Sequence, residues 1–281
     1  VRTVPDTEPR WIFSDFDGTI MQEDGSIPAS ARETIAALKA AGHHLVLSTG
    51  RSEGQLPADA RDLGFDAIIT GSGWRVELAD GTILVDASLD AALAGGVVSV
   101  LDEAGIPFFF ETHSGLLASP ESFAHLVAAS ADIEPASARQ RWLDHLDEFG
   151  RTLAESDGLI PVGITKLVHM RAIDHVAATL PEGIRAMPSS VPTLPEGWGE
   201  IIPNDVHKAV AVLQVLEHFG ADVSRSIAIG DGANDVEMIA LAGIGIAMGN
   251  ACAEVLAVAE VVTSSVDEDG FAEAFRMIGL L

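Results

Sequence analysis

Two aspartates stand two residues apart in Asp15-Phe16-Asp17-Gly18-Thr19. An ionised carboxylate can attack phosphorus, and a protonated one can give its proton to a leaving oxygen. A glycine turn adds backbone N–H groups for an anion. The combination suits phosphoryl transfer. Apolar Trp11-Ile12-Phe13 precedes it, so the pair is expected at the C-terminal end of a buried strand, where open α/β sheets bind ligands. A solvated Asp-Asp-Gly turn has the same composition, and this stretch alone leaves both readings open.

A second acidic pair, Asp231 and Asp235, lies in Gly230-Asp231-Gly232-Ala233-Asn234-Asp235, after another apolar run, Ser226–Ile229. If the two strands are parallel neighbours, Asp15, Asp17, Asp231 and Asp235 converge. Like charges about 4 Å apart repel by roughly 4 kcal/mol per pair at an effective dielectric of about 20. Such a cluster needs protons or a cation. Hard oxygen donors favour Mg2+ over zinc, and the chain has no cysteine–histidine cluster. Thr49-Gly50 offers a hydroxyl and a backbone N–H at a third strand end, although a capped strand–helix turn reads the same way. Lys208 is one of three lysines. It falls in the first turn of a predicted helix, where a cation opposes the helix dipole unless an anion lies nearby. Arg51 is the other cation in reach of a phosphate.

The elements that must hold these residues alternate. Pro28–Ala41 reads as a helix, His43–Ser48 as a strand, Ser52–Leu63 as a helix and Asp66–Thr70 as a strand. This β-α-β-α-β rhythm predicts a parallel sheet with helices on both faces. Trp74–Leu78 and Thr82–Val85 flank Asp80-Gly81, a hairpin signal. From there to about residue 187 the pattern is mixed: helices at Asp86–Ala104, Ser119–Ala131, Ala138–Phe149 and Ile173–Leu180, and strands at Pro107–Thr112, Gly163–Met170 and Ile184–Met187. The parallel rhythm resumes at Val206, with a helix to Phe219, a strand at Ser226–Ile229, a helix to Leu241, strands at Ile244–Ala247 and Glu260–Thr263, and a last helix from Glu268. The expected fold is α/β, a Rossmann-like doubly wound parallel sheet formed by residues 1–84 and 188–281, with an inserted α+β domain at 85–187. The proline-rich Pro188–Pro195 is the expected return linker.

Composition excludes several partners. The formal charge is −26 over 281 residues, which opposes nucleic acid and anionic membranes alike. An anionic substrate then needs a locally positive site. No run of 18 apolar residues occurs, so no membrane helix is expected. Val1–Arg10 is polar and lacks the pattern of a signal peptide. Cys252 is the single cysteine, so no intrachain disulfide is possible. A cytoplasmic setting is the expectation.

Taken in order, Asp15-Phe16-Asp17-Gly18-Thr19, Ser48-Thr49-Gly50-Arg51, Lys208 and Gly230–Asp235 resemble the four motifs of haloacid-dehalogenase-superfamily hydrolases. The likeness is to the Cof-like group, with a C2-type cap inserted between the second and third motifs. Ala247-Met248-Gly249-Asn250-Ala251 adds to it. The resemblance implies an Mg2+-dependent phosphatase of small phosphorylated metabolites, sugar phosphates included. It implies that Asp15 is the nucleophile and forms an aspartyl-phosphate, and that Asp17 is the general acid and then the base. By the same resemblance Asp15, the Asp17 carbonyl and Asp231 bind the metal, with Asp235 orienting metal-bound water. Gly18, Thr49, Gly50, Arg51, Lys208 and Asn234 would serve the phosphoryl group and substrate. In the inserted domain Glu111, Thr112, His113 and Lys166 are candidates for the leaving group. The chain departs from the group's pattern at Ser72-Gly73-Trp74, where Asn-Gly-Ala is frequent. A phosphomutase or phosphotransferase using the same aspartate, and a non-catalytic metabolite sensor, are the alternatives.

Overall fold

The computed structural model describes residues 8–22, 24–113, 115–133, 135–153, 160–161, 163–188 and 195–281. Most of Val1–Arg10, and most of the expected linker at Pro188–Pro195, lie outside the described residues. The contacts divide the chain into two units. One holds the described residues up to Gly50, then Pro57–Asp86 and Val206–Leu281; the other holds Arg51–Leu56 and Ala87–Asp205.

In chain order the strands of the first unit begin with β1 (Trp11–Ser14), β2 (His44–Ser48), β3 (Ala67–Thr70), β4 (Arg75–Leu78) and β5 (Ile83–Asp86). The second unit supplies β6 (Phe108–Thr112), β7 (Gly115–Ala118), β8 (Gly150–Thr152), β9 (Ile164–His169), β10 (Ile184–Pro188) and β11 (Gly199–Pro203). The first unit closes with β12 (Ser226–Gly230), β13 (Ile244–Ala247) and β14 (Val261–Val262).

The first sheet runs β14-β13-β12-β1-β2-β3-β4-β5. Its members from β14 to β3 are parallel, and the β4–β5 hairpin adds an antiparallel edge. Every residue of β1 and β12 is buried, as expected of central parallel strands covered on both faces. The apolar cluster on one face joins Phe13, Val46 and Ala228 to Val212, Val215 and Leu216 of the helix Lys208–Phe219. The helix Ala29–Ala40 follows Pro28 and buries Ala31, Thr34, Ile35 and Leu38, a stripe with helical spacing. Strand order reverses between β12 and β1, so the C-terminal ends of these neighbours open a crevice of the kind that binds ligands in doubly wound sheets.

The second sheet runs β10-β11-β9-β6-β7-β8 and is largely antiparallel, with β7 and β8 parallel. Phe109, Leu116, Leu126, Leu146, Val168 and Trp198 share its core. The unit extends to Asp205, beyond the expected return at residue 188, because β11 pairs with β10 and β9.

Two expected helices are absent. Ser52–Leu63 contains a 3-10 turn at Glu53–Gln55 and a single helical turn at Ala58–Arg61. Pro57 lies between them; it donates no hydrogen bond and holds Leu56 extended, at ψ 121°. Ile173–Leu180 contains only a turn at Ala177–Thr179, where β-branched residues and the following Pro181 disfavour a helix.

Candidate active site

β1 and β12 pair in parallel, with Ser14 opposite Ile229. Asp15 therefore leaves its strand beside the Gly230-Asp231 turn, and its N–H donates to the Ile229 carbonyl at 2.9 Å. The next residues turn sharply. The N–H groups of Ile20 and Met21 both reach the Phe16 carbonyl, and Gly18 donates to Met21. Gly18 has φ +75°, and a Cβ there would lie 2.4 Å from an oxygen of Asp231. Both the left-handed backbone and the close approach require glycine.

Carboxylate oxygens of Asp15, Asp231 and Asp235 lie within 4.8 Å of one another. Lys208 reaches them from the first residue of its helix. Its ammonium donates to Asp15 Oδ1 at 2.5 Å and to Asp235 Oδ1 at 2.6 Å, fully buried. Asp235 Oδ2 accepts the N–H groups of Asp231 and Gly232 at 3.1 and 2.9 Å. Asp231 is held on both oxygens: Thr19 Oγ1 donates to Oδ1 at 3.0 Å and Asn250 Nδ2 to Oδ2 at 3.2 Å. Asn250 also donates to the Gly18 carbonyl at 2.9 Å, and its Oδ1 accepts the Val266 N–H at 2.9 Å.

Three carboxylates cluster around one ammonium, which donates to two of them. Burial, then the Asp235 charge, raise the Asp15 pKa well above the usual carboxylate range against the pull of Lys208. Burial and Asp235 likewise push Asp231 up to about 7. Burial works to lower the Lys208 pKa, but the Asp15 and Asp235 carboxylates outweigh it and hold it above its ordinary value. The surplus of hard oxygen donors over positive charge fits a divalent cation. Asp17 is exposed at the same turn.

Thr49 is buried at the end of β2, and its N–H donates to the Ile69 carbonyl at 2.9 Å. Gly50 faces Asn234: a Cβ there would lie 3.2 Å from the Asn234 amide nitrogen and 3.5 Å from Ser72 Oγ. The structure thus gathers Asp15, Asp231, Asp235 and Lys208 in one cluster and sets Gly50 against Asn234. Arg51 groups with the second unit, where its guanidinium donates to the Gln55 carbonyl at 3.1 Å. In that unit Lys166 is buried between Glu111 and Glu200, at 3.3 and 3.1 Å, and His113 Nε2 lies 2.9 Å from Ser88 Oγ. Trp74 and Trp198 are buried in packing roles. Thr19, Asn250 and Ser72 also join the site, through contacts that no local sequence signal carries. Thr19 and Asn250 lie inside recognisable motifs, but their shared target, Asp231, is visible only in three dimensions.

A parallel sheet with acidic loops at its reversal point, joined by one buried lysine, suits phosphoryl transfer. The sequence pattern of haloacid dehalogenase-like hydrolases matches residues 12–275, and the chain belongs to that family. It is 29% identical over 278 residues to YkrA of Bacillus subtilis, which bears a phosphatase name; the match covers 98% of this chain and 99% of YkrA. It is 26% identical over 287 residues to the 5-amino-6-(5-phospho-D-ribitylamino)uracil phosphatase YitU of the same organism, covering 96% and 98% of the two chains. The fold matches BT1666 of Bacteroides thetaiotaomicron, a phosphatase of the same superfamily, with TM-score 0.79 at 20% identity, over 100% of this chain and 99% of that one. The protein is a phosphatase of this family. Among the described residues no helix is long and apolar enough to cross a membrane.

Proposed function

We propose that the protein is an Mg2+-dependent phosphatase that hydrolyses sugar or polyol phosphates in the cytoplasm through an aspartyl-phosphate on Asp15. The observation that carries this reading is Lys208 bridging Asp15 and Asp235 beside Asp231. The phosphoribityl group in YitU's name supports the substrate class.

With Oδ1 of Asp15 held by Lys208, Oδ2 is the atom we assign to attack phosphorus. The P–O bond to the leaving group breaks as the new one forms, and Asp17, at the exposed turn, gives its proton to the leaving oxygen. Asp17 then takes a proton from the water that attacks the acyl phosphate. Inorganic phosphate leaves and the Asp15 carboxylate is restored. Thr49, the Gly50 backbone, Asn234 and Lys208 would receive the phosphoryl oxygens, an arrangement that lowers the barrier by positioning and charge neutralisation; the expected Gly18 N–H is instead taken by the Met21 carbonyl, within its own turn. Asp15, Asp231 and the Asp17 carbonyl would hold Mg2+, with Asp235 behind them. The ion supplies charge neutralisation for the phosphoryl oxygens. We assign substrate selection to the second unit as a cap over residues 85–187 and its flanks, with Arg51 as a contact.

The test is phosphate release from a panel of small phosphate esters, with Mg2+ and with chelator, for the protein and for Asp15→Asn. Metal-dependent release that the variant lacks supports the reading. Release only when a second alcohol is added would make the enzyme a phosphotransferase, and no release on any ester would favour a sensor.

A further inference from the structure

Ser72 is one of two non-glycine residues described with positive φ, at φ 58° and ψ 31°. Its neighbours share the sign: Gly71 has φ +58° and Gly73 φ +113°. The two glycines take these angles freely, but a serine gains nothing locally from the left-handed region, so the Ser72 backbone must be held there by its surroundings. Those surroundings are the site. The Ser72 N–H donates to the Thr49 carbonyl at 2.9 Å. Ser72 Oγ accepts from the Asn234 side-chain amide at 3.3 Å. Gly73 packs so closely that a Cβ would lie 2.7 Å from the carbonyl of His207, the residue before Lys208. One strained loop after β3 thus touches the Thr49-Gly50 turn, the Asn234 loop and the start of the Lys208 helix.

We propose that Ser72 is a positioning residue for the phosphoryl site: its left-handed backbone aims Oγ at Asn234 and keeps that amide facing Gly50. The inference rests on the phosphatase reading above. The absence of a side chain at Gly50 leaves the space in which Ser72 Oγ and Asn234 Nδ2 meet. Alanine at 72 keeps the strain and removes the hydroxyl. Glycine removes both.

The experiment compares wild type, Ser72→Ala, Ser72→Gly, Asn234→Ala and the Ser72→Ala/Asn234→Ala double variant. It reads kcat/KM on a phosphate ester, inhibition by orthovanadate and melting temperature. Both Ser72 variants should lose about tenfold in kcat/KM and weaken vanadate by a similar factor. Ser72→Gly should also melt about 2–4 °C higher, since glycine takes this φ without cost. In the Asn234→Ala background, Ser72→Ala should change nothing further. A Ser72→Gly enzyme with the wild-type rate would overturn the proposal, as would a Ser72→Ala loss that persists without the Asn234 amide. A wild type that neither hydrolyses an ester nor binds vanadate would instead overturn the phosphatase reading beneath it.

Discussion

Lys208 Nζ lies 2.5 Å from Asp15 Oδ1, and the two residues are 193 positions apart in the chain. Both are buried, and Asp235 accepts from the same ammonium at 2.6 Å. The contact joins the end of β1 to the start of the Lys208–Phe219 helix and sets the charge balance of the whole cluster.

Lys208→Met would leave Asp15 and Asp235 buried without their cation. Removing one partner of a buried ion pair costs about 3–5 kcal/mol, and urea unfolding in chelator should show a loss of that size near neutral pH. The loss should shrink in acid, where the carboxylates take up protons, and also with added Mg2+. A variant as stable as wild type at pH 7 would show that Lys208 does not carry this balance.

Asp15→Asn removes the proposed nucleophile but keeps its shape. Turnover should fall by at least about a thousandfold, with a folded protein by circular dichroism. Retained activity would move the nucleophile elsewhere.

Protons and metal should compete at Asp231. Its carboxyl is raised to about 7, by burial first and by Asp235 second. Its folded pKa lies above the unfolded value near 4, so the folded state holds the extra proton between about pH 4 and 7. Stability of the metal-free protein should therefore fall as pH rises through that window, the reverse of a salt-bridged aspartate. Mg2+ should bind more weakly below pH 7 and release about one proton there. Calorimetry in two buffers of different ionisation enthalpy reads the proton count; affinity independent of pH, with no proton released, would contradict this.

Asn250 holds Asp231 Oδ2 and the Gly18 carbonyl together. Asn250→Ala should weaken Mg2+ by about tenfold or more, as losses behind metal ligands do, while Asn250→Asp would add a fourth nearby carboxylate. Mg2+ titration by calorimetry separates this from a defect in turnover alone. Unchanged affinity in Asn250→Ala would show that Thr19 suffices to hold Asp231.

Local sequence determined much of this protein. The apolar runs Trp11-Ile12-Phe13 and Ser226–Ile229 made β1 and β12 legible, because strands buried on both faces carry a continuous hydrophobic signal. The Asp-x-Asp-Gly and Gly-Asp-Gly turns that follow them carried the candidate chemistry, since only a few residue types suit both the turn and the task. What pairing decides was not legible in the same way. β7, β8 and β11 are three to five residues long and become strands through their neighbours, so the sequence shows none of them, and β11 groups with the second unit. Arg51 follows Thr49-Gly50 directly, yet it packs with the second unit. Ser72 looks like an ordinary loop serine until its backbone angles are seen. The types of the site residues were readable because chemistry constrains them one at a time. That Lys208 reaches Asp15, that Asn250 reaches Asp231 and that Ser72 reaches Asn234 was decided by strand order and loop packing, which set distances between residues remote in the chain.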